Sequence, residues 1–344
     1  MSKTPAPTQP NKQQKQPTHT QPTRQPAATP SQPKNNNHKK KKKPSQQKRA
    51  VSFVLVFCIL FAVAAGLVLK LHVFADYTPG SFTVGSSVDE DSLQSSPFVR
   101  NILLIGQDSD MLDTPSRSDT MLLISLDTAS RKIRMVSFLR DTYCEIPGYS
   151  PNKLNAACMY GGPSLLIETL EYNYNIRIDG YARVGFNLLS IIVDVLGGVT
   201  IPEIDETEAA ALYAGYGWEV EPGTNIHLNG TNALRYCRIR QYQSDFSRTE
   251  RQREVLTQLL KDFGIDDIYP VLRSSRILFG RIDCSYSEAE LLRIAFQALY
   301  CLTGGMEQQH IPADGTWWDE TINSQSVLQI DWDENRSILH DYLY

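Results

Sequence analysis

The chain has 344 residues, 41% of them hydrophobic, and a formal net charge of -4, which excludes a wholly disordered protein and allows one large domain with appendages. The charge is uneven: the first 49 residues hold 12 of the 34 Lys and Arg and no Asp or Glu, leaving 22 basic against 38 acidic groups in the remainder. No CxxC pair and no Cys/His spacing of the zinc-binding kind occurs, so a structural zinc module is excluded as well.

Residues 1–49 are Pro, Gln, Asn, Thr and Lys with almost no large apolar side chains, a composition that predicts a disordered tail. The tail ends in HKKKKKPSQQKR, a run that would suit nucleic acid, but the next residues decide against that partner. Ala50 to Leu69, AVSFVLVFCILFAVAAGLVL, is twenty residues without a charge, long enough to cross a hydrocarbon layer as a helix. The sequence therefore predicts a transmembrane signal anchor at 50–70, with the basic tail in the cytoplasm and everything after it outside. A cleaved signal peptide is the alternative, but its apolar region is shorter and ends at a small-x-small site. Residues 71–97, rich in Gly, Ser and Pro, read as an extracellular linker, and the folded domain is expected at 98–344. Cys58 lies in the span; Cys144, Cys158, Cys237, Cys284 and Cys301 lie beyond it, either as buried thiols or with one bridge, such as Cys284 to Cys301 or Cys144 to Cys158.

The domain opens with FVRNILLIGQDSD, a buried strand by its short apolar run. TMLLISL and IRMVSFL follow as second and third strands around the turn DTASRK. In an antiparallel meander, the end of the first strand, the start of the second and the end of the third share one sheet edge. That edge collects Asp108, Arg117, Asp119, Arg140 and Asp141. Loop charges usually sit in water, but two carboxylates brought together repel unless a cation lies between them. A few oxygen ligands completed by water and phosphate suit magnesium.

Lys153 and Asn155 come next, followed by Gly161, Gly162 and Pro163 at the start of a helix. GYARVG reads as a strand, and Phe186 to Leu196 as a strongly apolar helix stopped by Gly197 and Gly198; a lipid-lined pocket between these helices is a minority reading beside ordinary core. ALRYCRIR reads as a strand that projects Arg238 and Arg240 from one face, two guanidinium forks that call for an anion. Ser247 and Glu250 form a capping box that starts a helix, with Arg248 and Arg251 in its first turn, where free N–H groups favour phosphate. Arg253 is expected on the solvent face. Together these elements predict an α/β (α+β) domain with a mainly antiparallel central sheet flanked by helices.

The words NILLIGQDS, RSDTMLLISLD, VSFLRDTYCEIPGY, NKLNAACMYGGP, VDVLGGV, LNGTNALRYCRIR and SDFSRTERQREVL, in this order, resemble the LytR-CpsA-Psr proteins of Gram-positive cell envelopes. The resemblance covers nearly all of Phe98 to Gly264. It implies a phosphotransferase that takes an anionic glycopolymer, such as a teichoic acid or a capsule, from a polyprenyl diphosphate carrier and joins it to peptidoglycan through a phosphodiester, with Mg2+. Matched by position, Asp108 and Asp119 are the implied metal and catalytic residues. Arg140, Arg238 and Arg240 are the implied diphosphate clamp, supported by Arg117 and Lys153; Arg248 joins the diphosphate-binding set from its helix position. Ser247 departs from the family, which often has glycine there, and Gln107 occupies a variable position. The rival readings are a tethered, non-catalytic binding or regulatory module for wall polymers, and a diphosphatase that only hydrolyses the carrier. Protease added to intact cells is expected to degrade the large domain and spare the lysine-rich tail; the reverse pattern would overturn the predicted orientation.

Overall fold

The computed structural model describes residues 78–80, 85, 87–107, 116–239 and 245–344, all within the unit Ile59–Tyr344. The predicted tail, the predicted span at 50–70, most of the predicted linker before residue 87, Asp108 and Arg240 lie outside the described residues. Among the described residues no helix is long and apolar enough to cross a membrane.

The first three apolar runs form β1 (Val99–Gln107), β2 (Ser118–Asp127) and β3 (Lys132–Phe138), paired antiparallel in sequence order as predicted. Leu103, Ile105, Met121, Leu123, Val136 and Phe138 enter one apolar core, while Ile102, Leu122, Leu126, Ile133 and Met135 enter another on the opposite face. Covering both faces is what turns these strands into near-continuous apolar runs. A short ladder of β4 (Tyr143–Cys144) and β5 (Asn152–Lys153) then leads into helix α1 (Leu154–Tyr174). Gly161 and Gly162 break that helix with non-helical backbone, φ +67° at Gly162, and Pro163 starts its second half, as the Gly-Gly-Pro sequence predicts.

Strand β6 (Gly180–Gly185) joins β1 in parallel and runs into helix α2 (Phe186–Val195), which ends at the predicted glycines. Hairpin β7 (Val199–Ile204) and β8 (Gly223–Leu228) encloses α3 (Glu206–Tyr216), capped by an Asp205–Glu208 capping box. Helices α4 (Gly230–Arg238), α5 (Asp245–Asp262) and α6 (Ile268–Phe279) follow. The chain finishes with β9 (Ile282–Cys284), α7 (Glu288–Leu302), β10 (Met306–Ile311), the hairpin β11 (Trp317–Ile322) and β12 (Gln325–Ile330), and α8 (Trp332–Leu343). The central sheet has the order β10-β3-β2-β1-β6-β9. Three of its five pairings are antiparallel; β6 and β10 add in parallel after the long crossovers that parallel pairing requires. Helices α1 and α8 cover one face, α7 the other, and a separate core unites α2, α3, α4, α5 and the β7–β8 hairpin.

Four readings need correction. ALRYCRIR is helix, not strand, through Arg238. Asn229 caps it by accepting the Asn232 N–H at 2.9 Å, and Ala233, Tyr236 and Cys237 bury at helical spacing. Short apolar runs of this kind fit either period, and the cap with its tertiary packing decides. Helix α5 begins at Asp245, so Ser247 lies inside it and Arg248 and Arg251 sit further from the N-terminus than a Ser247 cap would place them. Arg253 is buried, 6% exposed, because α5 packs against α4, β3, β7 and β10 and has little free face. Packing also starts before Phe98: Leu93 is buried, and Gln94 bridges to Ile176. All five described cysteines are buried free thiols; burial pushes Cys158 up to about 11 and Cys237 to about 12.

The far turn of the β2–β3 hairpin is tied by Asp127. Its carboxylate accepts the N–H groups of Ala129 and Ser130, the Ser130 hydroxyl, and Arg134 Nη1 at 2.8 Å. Burial raises its pKa, but the hydrogen bonds from Ser130 and Arg134, helped by the Ala129 N–H, outweigh burial and hold the group near 2, against an ordinary 3.8. A depressed carboxylate stabilises the fold above pH 3.8 and loses that contribution as pH falls toward 2. Asp127→Asn should therefore flatten the stability loss across that window, read by urea titrations at stepped pH; an unchanged acid limb would remove Asp127 from this role.

Candidate active site

The antiparallel register brings the start of β2 and the end of β3 to one edge. Arg140 Nη1 donates to Asp119 Oδ1 at 2.6 Å, and Arg140 Nε lies 3.5 Å from Asp141 Oδ2. Lys153 Nζ reaches the other oxygen of Asp141 at 2.7 Å, so Asp141 links two of the predicted cations. The backbone helps: Arg140 O accepts the Asn155 N–H at 3.2 Å, and Thr142 O accepts the Leu154 N–H at 2.8 Å, which ties the start of α1 to this edge.

Arg248 arrives from α5. Its guanidinium is 3% exposed on the side chain; Nη2 donates to Asp119 O at 2.9 Å, and Nη1 stands 3.9 Å from Asp119 Oδ1. Asp119 thus lies between two arginines contributed by different elements. One turn along α5, Gln252 Oε1 accepts the Thr120 hydroxyl at 2.9 Å. Gln252 was not among the predicted site residues; its i,i+4 spacing from Arg248, which puts both on one helix face, is the signal that points to it.

Arg238 sits in the last turn of α4 with its guanidinium 5.1 Å from the centroid of the Phe186 ring. A Cβ on Gly106 would lie 3.5 Å from Phe186 Cε1 and 3.0 Å from Thr120 Cβ, so Phe186 couples Arg238 to the ends of β1 and β2. Gln107 is buried there, donating to Ser116 O at 3.2 Å and to Cys158 Sγ at 3.4 Å. Arg117 is exposed just before β2. The structure therefore assembles Asp119, Arg140, Lys153, Arg238 and Arg248 at or beside one edge, while Asp108 and Arg240 fall outside the described residues.

Arg251 has a different task from Arg248. Buried at 2% exposure, it donates to Tyr236 O at 3.2 Å and Ile239 O at 2.7 Å and pairs with Glu208 at 3.5 Å. These carbonyls lie at the C-terminal end of α4, where helical carbonyls lack intrahelical partners. Ile239 leaves the helix with φ -57° and ψ 128°, and Arg251 holds its carbonyl at that exit. Burial pushes the Glu208 carboxyl up while Arg251 pulls it down.

A model of the LytR_cpsA_psr family matches residues 84–341. Regulatory protein MsrR of Staphylococcus aureus (strain COL) is 28% identical over 246 residues, 71% of this chain and 74% of its own length. TagU of Oceanobacillus iheyensis, a polyisoprenyl-teichoic acid–peptidoglycan teichoic acid transferase by name, is 36% identical over 170 residues, 47% of this chain and 51% of its own. Among solved structures, Bacillus subtilis TagT superposes with a TM-score of 0.61 at 22% identity, covering 76% of this chain and 99% of that one. The family protein YwtF (TagT) with bound octaprenyl pyrophosphate lipid gives 0.52 at 21%, covering 72% and 91%. These structural likenesses carry the fold.

Arg251→Lys keeps the charge but loses the fork that satisfies two carbonyls and Glu208. It should lower stability by about 1.5 to 3 kcal/mol, measured by urea unfolding; an unchanged midpoint would show that α4 is held by its apolar face alone.

Proposed function

The chain belongs to the LytR_cpsA_psr family, and from that premise we propose that it moves an anionic glycopolymer from a polyprenyl diphosphate carrier onto peptidoglycan through a phosphodiester bond. The observation that carries this reading is the Asp119 carboxylate held between Arg140 and Arg248 at a sheet edge. TagU, similar over half its length, is named for such a transfer of teichoic acid, and the YwtF (TagT) fold neighbour holds octaprenyl pyrophosphate.

In this reading a hydroxyl of the wall glycan attacks the polymer-bearing phosphorus. A new P–O bond forms, the bond to the second phosphate breaks, and polyprenyl phosphate leaves with that electron pair. The attacking hydroxyl gives its proton to Asp119, which first orients it. Arg140, Arg238, Arg240 and Arg248, with Lys153 and Arg117 in support, neutralise the non-bridging oxygens, the dominant need in phosphoryl transfer. The apolar helix α2, whose Leu189, Ile191 and Ile192 are half-buried, is the candidate wall for the isoprenoid chain.

Magnesium belongs to the same proposal. Magnesium is typically held by one or two carboxylates, waters and substrate phosphates rather than by an all-protein cage, and the Asp119 carboxylate at this edge supplies one such ligand. Asp119 and Asp108 are its candidate ligands, and when bound it would offset phosphate charge.

The test uses the full chain in detergent with lipid-linked polymer and peptidoglycan, counting polymer attached to the wall. Asp119→Asn should lose transfer by roughly a hundredfold or more while still binding carrier, and Arg140→Lys should weaken carrier binding by about ten- to a hundredfold. Undiminished transfer in Asp119→Asn would favour the binding module. Polymer released only into water would favour a diphosphatase.

A further inference from the structure

At the opposite end of the central sheet, where β1 begins, a cavity of about 420 Å³ opens beside Phe98. Three arginines from separate elements line it: Arg100 on β1, Arg177 between α1 and β6, and Arg293 on α7. One carboxylate, Asp179, lines it with them. Asp179 is already engaged, accepting the Asn101 N–H at 2.8 Å and facing Arg177 Nε at 3.6 Å. Glu290, whose carboxylate feels Arg100 and Arg293, is committed to the Ser287 N–H and hydroxyl in the α7 capping box. The Arg100 and Arg293 side chains feel Asp179 and Glu290 across the cavity, but no hydrogen bond or close ion pair of theirs is formed among the described residues.

Three arginines drawn from distant parts of the sequence line one cavity with two carboxylates beside them, Asp179 near Arg177 and Arg100 and Glu290 near Arg100 and Arg293, which leaves an excess of one positive charge for an anion, in a body where acidic groups outnumber basic ones. Much of the remaining wall is neutral and polar, with the amides of Asn101 and Gln297 and the hydroxyls of Ser95, Ser96 and Tyr344 beside the apolar Pro97 and Val99. Phe98, 58% exposed, puts an aromatic ring at the same cavity. Guanidinium forks beside neutral amides, hydroxyls and a ring face match a phosphate flanked by hydroxyl-bearing carbon, and the volume exceeds what inorganic phosphate needs. The pocket is distinct from the transfer site, because the nine residues of β1 separate the two ends by roughly 25 to 30 Å at about 3.3 Å per residue.

We propose that the Arg100–Arg177–Arg293 pocket is a second anion site, which holds a phosphate of a sugar- or polyol-phosphate polymer several repeat units away from the reacting diphosphate. That the phosphate belongs to the polymer rests on the transfer reading; the pocket's affinity for a polyol phosphate does not. Held there, a long donor would be retained by its distal part while its reducing end reacts.

The test is binding of a poly(glycerol phosphate) trimer, too short to bridge the two ends and lacking any diphosphate or lipid, to the full chain in detergent micelles by calorimetry. Arg140→Gln serves as the background, so that binding at the transfer site is suppressed. In that background the trimer should bind, inorganic phosphate should displace it, and added salt should weaken it. Adding Arg100→Gln and Arg293→Gln should cost at least about tenfold in affinity, and Arg100→Lys with Arg293→Lys should cost less, with circular dichroism verifying the fold. Equal trimer affinity with and without the Arg100 and Arg293 changes would overturn the site. Binding to phosphatidylglycerol vesicles that depends on these arginines, without trimer binding, would assign the phosphate to a lipid headgroup and overturn the polymer assignment. If trimer binding follows the arginines but the chain with Arg140 intact transfers no polymer to the wall, the pocket stands and the transfer reading falls.

Discussion

The register of the β1–β2–β3 meander is the constraint on which the candidate site depends. Leu103 pairs with Leu123, and Leu123 with Val136, so each residue in these rows is assigned to one of two apolar cores. A slip of one residue would move every side chain to the wrong face. The same register fixes where the strands end, and with that the 2.6 Å contact between Asp119 and Arg140, which are 21 residues apart. Near the edge the pairing shifts between Gly106 and Gln107. A side chain at Gly106 would press on Thr120 at 3.0 Å, so close approach of β1 and β2 next to the site needs glycine.

Helix α5 adds the second half of the site from outside the sheet, and its arginines divide the work. Arg248 turns inward to Asp119, Arg251 turns to the end of α4, and Arg253 is buried elsewhere along the helix. A buried guanidinium is costly unless hydrogen-bonded. Carbonyls serve that need for Arg251, and the backbone carbonyl of Asp119 serves it for Arg248, whose charge is also faced by the Asp119 carboxylate at 3.9 Å. Burial lowers the Arg253 pKa, with Glu250 opposing. Residues that look alike in sequence are thus separated by about 100° of rotation per helical position.

Charge is segregated along the domain in the same way. Carboxylates gather at Glu203, Asp205, Glu208, Glu250 and Glu254 beside α5, while arginines gather at the two ends of the sheet. Burial pushes the Glu254 carboxyl up, against its hydrogen bond from Tyr236. Such separation keeps anions directed to the sheet ends and away from the acidic flank.

The meander, the apolar helix stopped at Gly197 and Gly198, the break at Gly161–Gly162 and the edge holding Asp119 with Arg140 were legible in the sequence, because strand alternation, glycine and proline act locally. Motif order likewise made the family legible. The strand reading of ALRYCRIR failed because a seven- or eight-residue apolar pattern fits both periods, and only the Asn229 cap with burial of Ala233, Tyr236 and Cys237 selects helix. The exposure of Arg253 failed because a helix packed on several sides keeps only a narrow solvent face, around Glu250 and Lys261, and Arg253 lies off it. Tertiary structure alone decided which arginine meets which oxygen: Arg248 to Asp119, Arg251 to the carbonyls of α4, and Arg100, Arg177 and Arg293 together at the far end. The physical reason is that long, flexible cationic side chains carry no periodic signature, so their partners are fixed only when packing sets distance, direction and dielectric.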